Sequence, residues 1–194
     1  MVFGVPLVAF LAVSAYLLLD SRSAAARADR LGAKIAHGRA IADVVHELQK
    51  ERGLSAIYLA SGGQRMGREI DDQRRETDQK RAAVARLASD PIIAAEPALA
   101  RIAAEAAAAL APIEDRRQTI TGRTIDGAAS AAYYTATIAK QLALIVAFGR
   151  AAEVPEVSGA FKAYVSLLEA KERAGLERAT GATGITLGRF DATL

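Results

Sequence analysis

The stretch IADVVHELQKERGLSAIYLA, residues 41–60, decides the fold class of this chain. Its apolar residues recur every three or four positions, as they do on one face of an α-helix. Val44 and Ile57 flank this stripe. Gly62 and Gly63 follow it, and glycine is the residue type that commonly ends a helix. The pattern therefore predicts an amphipathic helix that buries one face against other helices. The stripe consists of Ile41, Val45, Leu48, Ser55 and Leu59.

The composition of the 194-residue chain also favours helices. Apolar residues make up 52% of it, which excludes a disordered chain, but aromatic residues make up only 5% and tryptophan is absent. Alanine occurs in runs such as 106–109, and it is the strongest helix former and a poor strand former. The absence of cysteine excludes disulfides, thiolate nucleophiles and cysteine metal sites. We therefore expect an all-α protein of one domain or two small ones.

Four further helices are predicted after the first. Pro112 is expected to kink the third helix, and Gly181 and Gly184 are expected to end the fifth. Either Thr124 or Asp126 can cap the fourth helix. No segment alternates like a strand and no glycine-rich phosphate loop occurs, so the prediction is an antiparallel helical bundle. The predicted ranges are 66–87, 97–121, 124–148 and 158–179.

The N-terminus carries a different pattern. Residues 2–19, VFGVPLVAFLAVSAYLLL, contain no charged side chain, and at about 1.5 Å per residue they cover about 27 Å of a bilayer. Charged residues follow directly, and no lysine or arginine precedes the run. We interpret residues 1–20 as a transmembrane anchor and residues 21–194 as a helical domain. The alternative is a secretory signal peptide cleaved near Ala24–Ala26, and either assignment sends the rest of the chain across the membrane.

One charged residue lies where the first helix should be apolar. At 100° per residue, Arg52 falls within about 20° of the centre of the stripe that contains Leu48 and Ser55. A guanidinium that faces a bundle core is unfavourable unless a partner satisfies it. One hypothesis is a buried ion pair, or an arginine whose head reaches solvent. The other is an external planar oxyanion, which suits the planar fork of guanidinium donors.

The predicted fifth helix has charged residues in comparable positions. Glu172 interrupts its apolar line, and a second line beside it carries Lys171 and Arg178. One edge of the helix therefore presents two cations to a neighbour, and Glu172 can pair either with Arg52 or with Lys171. Gly175 leaves room for the close approach of another backbone. The apolar line consists of Phe161, Val165, Leu168, Gly175 and Ala179.

The remaining polar residues predict no catalytic, metal or nucleic-acid site. We interpret the run RRETD, residues 74–78, as a solvated helix face in which Arg74 and Asp78 pair one turn apart. His37 and His46 lie on opposite sides of a helix, so they cannot bind one metal ion and are expected at the surface. The net charge of +3 is not gathered into a basic block. We therefore expect no enzyme, no metal or cofactor, and no nucleic-acid partner.

Three motifs of this chain resemble those of a known family. HELQKERGLS, residues 46–55, resembles the ELQ-ERG-S motif of the nitrate- and nitrite-sensing (NIT) domain. RRETD, residues 74–78, resembles the R-xx-TD element of that family. KERAGLERA, residues 171–179, resembles its KE-AG-ERA motif. The three motifs occur in the family's order across about 41–190, behind the apolar run at the N-terminus.

The resemblance implies an all-helical sensor bundle in which arginines hold nitrate or nitrite between helices. The family occurs outside the cytoplasm in bacterial chemoreceptors and sensor histidine kinases, and inside it in antiterminators. Its arginines correspond here to Arg52 and Arg178, and Lys50 stands where the family often has a second basic residue. Arg173 lies at a position where no arginine is required. Because family members usually continue with further helices, we also expect the domain to be cut short at Leu194.

We therefore hypothesise that residues 21–194 are a sensor domain of a signal-transduction receptor in the inner (cytoplasmic) membrane, on its periplasmic or other extracytoplasmic side. The expected partners are a small anion such as nitrate or nitrite, the membrane through the N-terminal helix, and a second copy in a homodimer. The alternative is a ligand-free helical module for dimerisation or signal transmission. The candidate ligand-binding residues are Arg52, Arg178, Lys171, Lys50 and Ser55.

Overall fold

The structure is a computed structural model that describes residues 4–87, 89–152 and 155–188. It confirms the all-α fold class, since these residues form helices and no strand. By its contacts the chain divides into two units, Met1–Ala36 and His37–Leu194. The helices are α1 (Gly4–Ala60), α2 (Gly67–Leu87), α3 (Pro91–Ala94), α4 (Pro97–Leu110), α5 (Ile113–Thr121), α6 (Gly127–Arg150) and α7 (Pro155–Leu187).

Residues 8–19 of the first unit belong to α1 and have an apolar surface. The large apolar side chains between positions 8 and 19 are each more than half exposed. By length and composition α1 is a candidate membrane span near the N-terminus. α6 meets the same two criteria, but 44% of its apolar window is buried in the bundle core. The exposed apolar residues of the first unit are Val8, Phe10, Leu11, Val13, Tyr16, Leu17, Leu18 and Leu19.

The second unit is a helical bundle built around α6. The predicted stripe of α1 faces its core, where Ile41, Val45 and Leu48 are fully buried. The small alanine side chains of α4 allow a close approach to α6. As a result, the Gln141 side chain on α6 donates a hydrogen bond of 2.7 Å to the backbone carbonyl of Ala106. Burial of these apolar faces is the main favourable term in folding. The α6 residues in this core include Tyr134, Ile138, Leu144, Ile145 and Phe148.

Two helix boundaries follow the predictions closely. α1 ends at Ala60, and Gly62 and Gly63 both have positive φ angles, of 62° and 82°. Of the two proposed caps for the fourth helix, Asp126 is the one used, because its side chain accepts a 2.6 Å hydrogen bond from the backbone N–H of Ala129. The end of α1 and the start of α6 are therefore both determined by local sequence.

Pro112 interrupts the predicted third helix more strongly than a kink would. The segment forms two helices, α4 and α5, with Pro112 as the residue before α5. Proline has no backbone N–H and its ring clashes with the preceding turn, so the helix stops and restarts. A further short helix, α3, lies where the sequence predicted only a connection, and the Asp90 side chain caps it through the backbone N–H of Ile92.

The prediction that Gly181 and Gly184 end the last helix is wrong. α7 continues through both glycines to Leu187, and it begins at Pro155 rather than Ser158. A glycine inside a helix costs about 1 kcal/mol relative to alanine. Gly184 is buried, so packing of this turn against the bundle offsets that cost. Gly188 directly follows the last residue of α7, and its φ angle of 67° is the left-handed conformation typical of the residue after a helix.

Candidate functional site

Arg52 on α1 is the most unusual side chain in the core. It is only 1% exposed, and its Nη1 and Nη2 donate hydrogen bonds of 2.5 and 3.3 Å to the two carboxylate oxygens of Glu172 on α7. Nη1 also donates to the Thr135 hydroxyl on α6, at 2.9 Å. Of the hypotheses left open by the sequence, the buried ion pair is therefore the one formed in this structure, and its carboxylate is Glu172.

Glu172 receives donors from two residues of α1. Besides the Arg52 fork, the Gln49 side-chain nitrogen donates to Oε2 of Glu172 at 2.7 Å. Gly175 lies next to this pair, since a Cβ atom at that position would lie 3.3 Å from Nη2 of Arg52. The group that approaches Gly175 is therefore the Arg52 guanidinium rather than another backbone. Gln49 and Arg52 of α1 thus form a largely buried set of donors around the planar Glu172 carboxylate of α7.

A cavity of about 560 Å³ adjoins Arg52. It lies between the end of α1, the start of α6 and the second half of α7. The buried Nε of Arg52 has no hydrogen-bond partner among the described residues, whereas both Nη atoms are bonded. An unbonded, desolvated donor is energetically unfavourable, so Arg52, which lines the cavity, retains unused hydrogen-bonding capacity. The side chains that line the cavity include Arg52, Leu59, Arg123, Asp126, Leu176, Thr180 and Thr183.

The other predicted ligand residues lie at different depths. Ser55 is buried one turn after Arg52 and next to the Tyr134 hydroxyl. Lys50 is exposed and forms a 2.6 Å ion pair with Glu47. The structure does not bring Lys50 to the cavity wall; the same is true of Lys171 and Arg178 on α7, which are both exposed.

Lys171 has a partner outside the cavity. Its ammonium lies 3.0 Å from Nδ1 of His46. Partial burial and this neighbouring positive charge hold the pKa of His46 below its usual range. His46 is exposed, as predicted. The prediction that His37 is also a surface residue is wrong, because its ring packs against Phe148 at a centroid distance of 6.0 Å and is largely buried.

A second buried network lies directly beside Arg52. Glu51 is fully buried, and Arg117 on α5, which is 3% exposed, donates to its two oxygens at 2.8 and 2.9 Å. The Tyr134 hydroxyl donates to Glu51 at 2.9 Å. Arg117 also donates to Asp78 on α2 at 2.8 Å. This network joins α1, α2, α5 and α6 one residue before Arg52, and it therefore positions Arg52 in the core.

The pKa values of Arg117 and Tyr134 in this network are raised. Burial alone would lower the pKa of Arg117, but its bonds to Glu51 and Asp78 raise that pKa well above its usual range. Burial and the charge of Glu51 raise the pKa of Tyr134 in turn. Arg117 is therefore a permanent cation and Tyr134 a permanent donor around Glu51. The network is structural, and its charges are compensated within the bundle.

The interpretation of residues 74–78 as a solvated face holds for Arg75 and Glu76, which are exposed, but it is wrong for Arg74, Thr77 and the predicted Arg74–Asp78 pair. Arg74 donates to the hydroxyl of Thr121 at 2.9 Å and to the backbone carbonyl of Arg117 at 3.3 Å, and Thr77 is fully buried. Asp78 pairs with Arg117 and not with Arg74. This face of α2 packs against α5, which the charge pattern alone did not reveal.

Two residues that hold these buried carboxylates were not predicted, although the sequence pattern marks their positions. Arg117 lies between Ile113 and Ile120 at helical spacing, so it is a charged residue on an apolar stripe, like Arg52. Gln49 lies three positions before Arg52 and thus on the same face of α1. The test that singled out Arg52, a charge on an apolar stripe, would also have found Arg117, whereas Gln49 is uncharged and its partner could be found only from the tertiary structure.

Comparisons with known proteins agree with this architecture. The family described as nitrate and nitrite sensing matches residues 43–194 of this chain. The nitrate regulatory protein of Klebsiella oxytoca is 29% identical over 154 residues, which cover 79% of this chain and 39% of that protein. The structure of the NasR transcription antiterminator matches with a TM-score of 0.80 at 26% identity, over 93% of this chain and 49% of its own. This chain thus spans less than half the length of either relative.

Proposed function

Because this chain belongs to the nitrate and nitrite sensing family, we propose that its bundle is the ligand-binding sensor domain of a bacterial signal-transduction receptor. The ligand is nitrate, nitrite or a similar small anion, and it binds between helices at Arg52. The observation that carries the proposal is a guanidinium that is 1% exposed and has a free buried Nε beside a cavity of about 560 Å³. The description of the family as nitrate and nitrite sensing supports a role in ligand binding.

The chemistry of nitrate suits this position. Nitrate is planar, carries one negative charge and accepts hydrogen bonds weakly, so a protein must supply several donors in a site with little water. Arg52 offers a planar fork of N–H groups in a desolvated position. Gln49 adds a neutral donor beside the Arg52–Glu172 pair, and the Thr135 hydroxyl accepts from Nη1 of Arg52 and so helps to orient the guanidinium. A charge interaction in such a low-dielectric site is stronger than at the surface.

The remaining candidate residues have supporting roles in this proposal. Arg178 directly precedes Ala179, which lines the cavity, so its long side chain starts near the rim of the site. Lys171 and Lys50 add positive potential close to Arg52, and Ser55 adds a small polar side chain one turn away on α1. Positive potential of this kind raises the local concentration of anions and their rate of association.

Titration calorimetry with nitrate and with nitrite tests the proposal. We expect the wild-type chain to bind, and we expect Arg52→Lys to bind at least about tenfold more weakly, because lysine keeps the charge but loses the planar fork. Arg178→Met should weaken binding, whereas Arg173→Met removes an equally exposed charge from the same helix and should not. Negligible heat for both anions with the wild type, or equal affinity for wild type and Arg52→Lys, would contradict the proposal.

We further propose that the domain lies outside the cytoplasm, anchored in the inner membrane by residues 1–20. The support is the exposed apolar surface of the first unit, which a bilayer would cover. A fusion of alkaline phosphatase, which is active only after export, to the C-terminus should be active and should stay in the membrane fraction after a carbonate wash. Activity in a soluble, shortened product would indicate a cleaved signal peptide instead, and an inactive fusion would contradict export.

The alternative is a ligand-free module for dimerisation or signal transmission. One observation favours it: Glu172 already neutralises Arg52, so the bundle needs no external anion to compensate this charge. Light scattering with and without nitrate separates the two functions. A dimer whose stability is independent of nitrate, in a chain that gives no calorimetric signal with either anion, would support the alternative.

A further inference from the structure

We propose that Glu172 is a built-in competitor for the anion site, so that an external anion binds Arg52 only by displacing the Glu172 carboxylate. The inference rests on the proposed function, and it names the residue that sets the affinity of the site. A carboxylate and a nitrate ion are both planar oxyanions with one negative charge. The donors that hold Glu172 in this structure are therefore the donors that would hold the ligand.

The geometry supports competition rather than joint binding. Three donors converge on the Glu172 carboxylate: both Nη atoms of Arg52 and the side-chain nitrogen of Gln49. A second anion at the same guanidinium would lie beside Glu172 in a poorly hydrated site, where two like charges repel strongly. Binding of the external anion thus requires the carboxylate to withdraw.

A comparison with the neighbouring arginine shows why Arg52 can exchange its partner. Arg117 is bound by three carboxylates, Glu51, Asp78 and Glu114, and its Nε, Nη1 and Nη2 all donate hydrogen bonds. Arg52 is bound by one carboxylate, its Nε is unbonded, and it adjoins the cavity of about 560 Å³. Of these two buried arginines, Arg52 is therefore the one whose counter-ion can be replaced.

Displacement also links binding to the position of α7. Glu172 is held on α7, whereas Arg52 and Gln49 belong to α1, so exchange of the carboxylate for a free anion removes a direct link between these two helices. The intramolecular carboxylate acts at a high effective concentration, which raises the anion concentration needed for half-saturation. The strength of this internal competitor thus sets the concentration range to which the site responds.

The test compares nitrate affinities of the full chain by calorimetry in wild type, Glu172→Gln and Glu177→Gln. Glu172→Gln removes the competing charge and keeps the shape, so we expect nitrate to bind at least about tenfold more tightly than in wild type. Glu177 is exposed on the same helix, and Glu177→Gln changes the net charge by the same amount. It should leave the affinity within about twofold of wild type.

A second measurement separates competition from a purely structural role. Without nitrate, Glu172→Gln should melt at a lower temperature than wild type, because Arg52 loses its counter-ion. Nitrate should restore this loss and should raise the melting temperature of Glu172→Gln more than that of wild type. Glu172→Asp, which keeps the charge but shortens its reach, provides a second folded variant and should show a smaller gain in affinity.

The outcomes are distinct for the two proposals. If wild type binds nitrate and neither variant of Glu172 binds it more tightly, Glu172 is a structural counter-ion and the competitor inference is overturned, while the proposed anion site stands. If no variant binds nitrate or nitrite, both proposals fail. If wild type binds nitrate and Glu172→Gln binds it at least about tenfold more tightly, both proposals are supported.

Discussion

Replacing Arg117 with methionine should lower the free energy of unfolding by about 3–5 kcal/mol. The reason is that Glu51 is fully buried and, among the residues that the structure describes, would keep only the Tyr134 hydroxyl as a direct partner for its negative charge. Removing one member of a buried ion pair is far more destabilising than removing both, since an uncompensated charge remains in a low-dielectric interior. Urea denaturation followed by circular dichroism measures this difference.

Two further variants make the Arg117 prediction specific. Arg75→Met removes an arginine from an exposed pair with Asp72 and should change stability by less than about 0.5 kcal/mol. The double variant Arg117→Met with Glu51→Gln should recover part of the loss, because the unpaired charge of Glu51 is then absent. A loss below about 1 kcal/mol in Arg117→Met would mean that solvent reaches Glu51 and that the network does not position Arg52.

Gly149→Ala should destabilise the bundle by about 1–3 kcal/mol, although the same change usually stabilises a helix. Gly149 is buried near the end of α6, and a Cβ atom there would lie only 2.7 Å from the Cβ of Phe161 on α7. The atom in the way belongs to the root of a side chain, so a new rotamer cannot relieve the overlap. α6 and α7 must therefore move apart, which disturbs the packing of Phe161.

Gly159→Ala is the matched control for this prediction. Gly159 is exposed on α7, and a Cβ atom at that position meets no atom within 4 Å. The substitution should stabilise the chain by about 0.5–1 kcal/mol, because alanine has the higher helix propensity. Thermal or urea denaturation of both variants tests the pair, and a stabilising effect of Gly149→Ala would contradict the close packing of α6 against α7.

The helices themselves followed from local sequence to a large extent. Periodic apolar residues predicted the first helix, Asp126 was one of two predicted caps, and glycine after Ala60 predicted its end. The errors arose where tertiary contacts outweigh local preference. Gly184 is a poor helix former, yet α7 runs through it because that turn is buried in the bundle.

The candidate site could be predicted only in part. Arg52 stood out because a charge on an apolar stripe requires a partner, and the sequence limited that partner to an external anion, a carboxylate or solvent. The sequence left Glu172 to pair with either Arg52 or Lys171, and the choice depends on how α7 packs on α1, which a helix wheel does not show. The pairing of Arg117 with Asp78 was not predicted for the same reason, since these residues are 39 positions apart in the chain and belong to different helices, α5 and α2.

The sequence by itself determined that this protein is an all-α bundle of the nitrate and nitrite sensing family with a buried Arg52, because helix periodicity and the three motifs are local properties. Only the tertiary structure decided which charges meet. It paired Arg52 with Glu172, enclosed Glu51 with Arg117, and left Arg178 exposed. The physical reason is that the energy of a charge depends on its burial and its nearest partners, and both are set by the packing of helices distant in sequence.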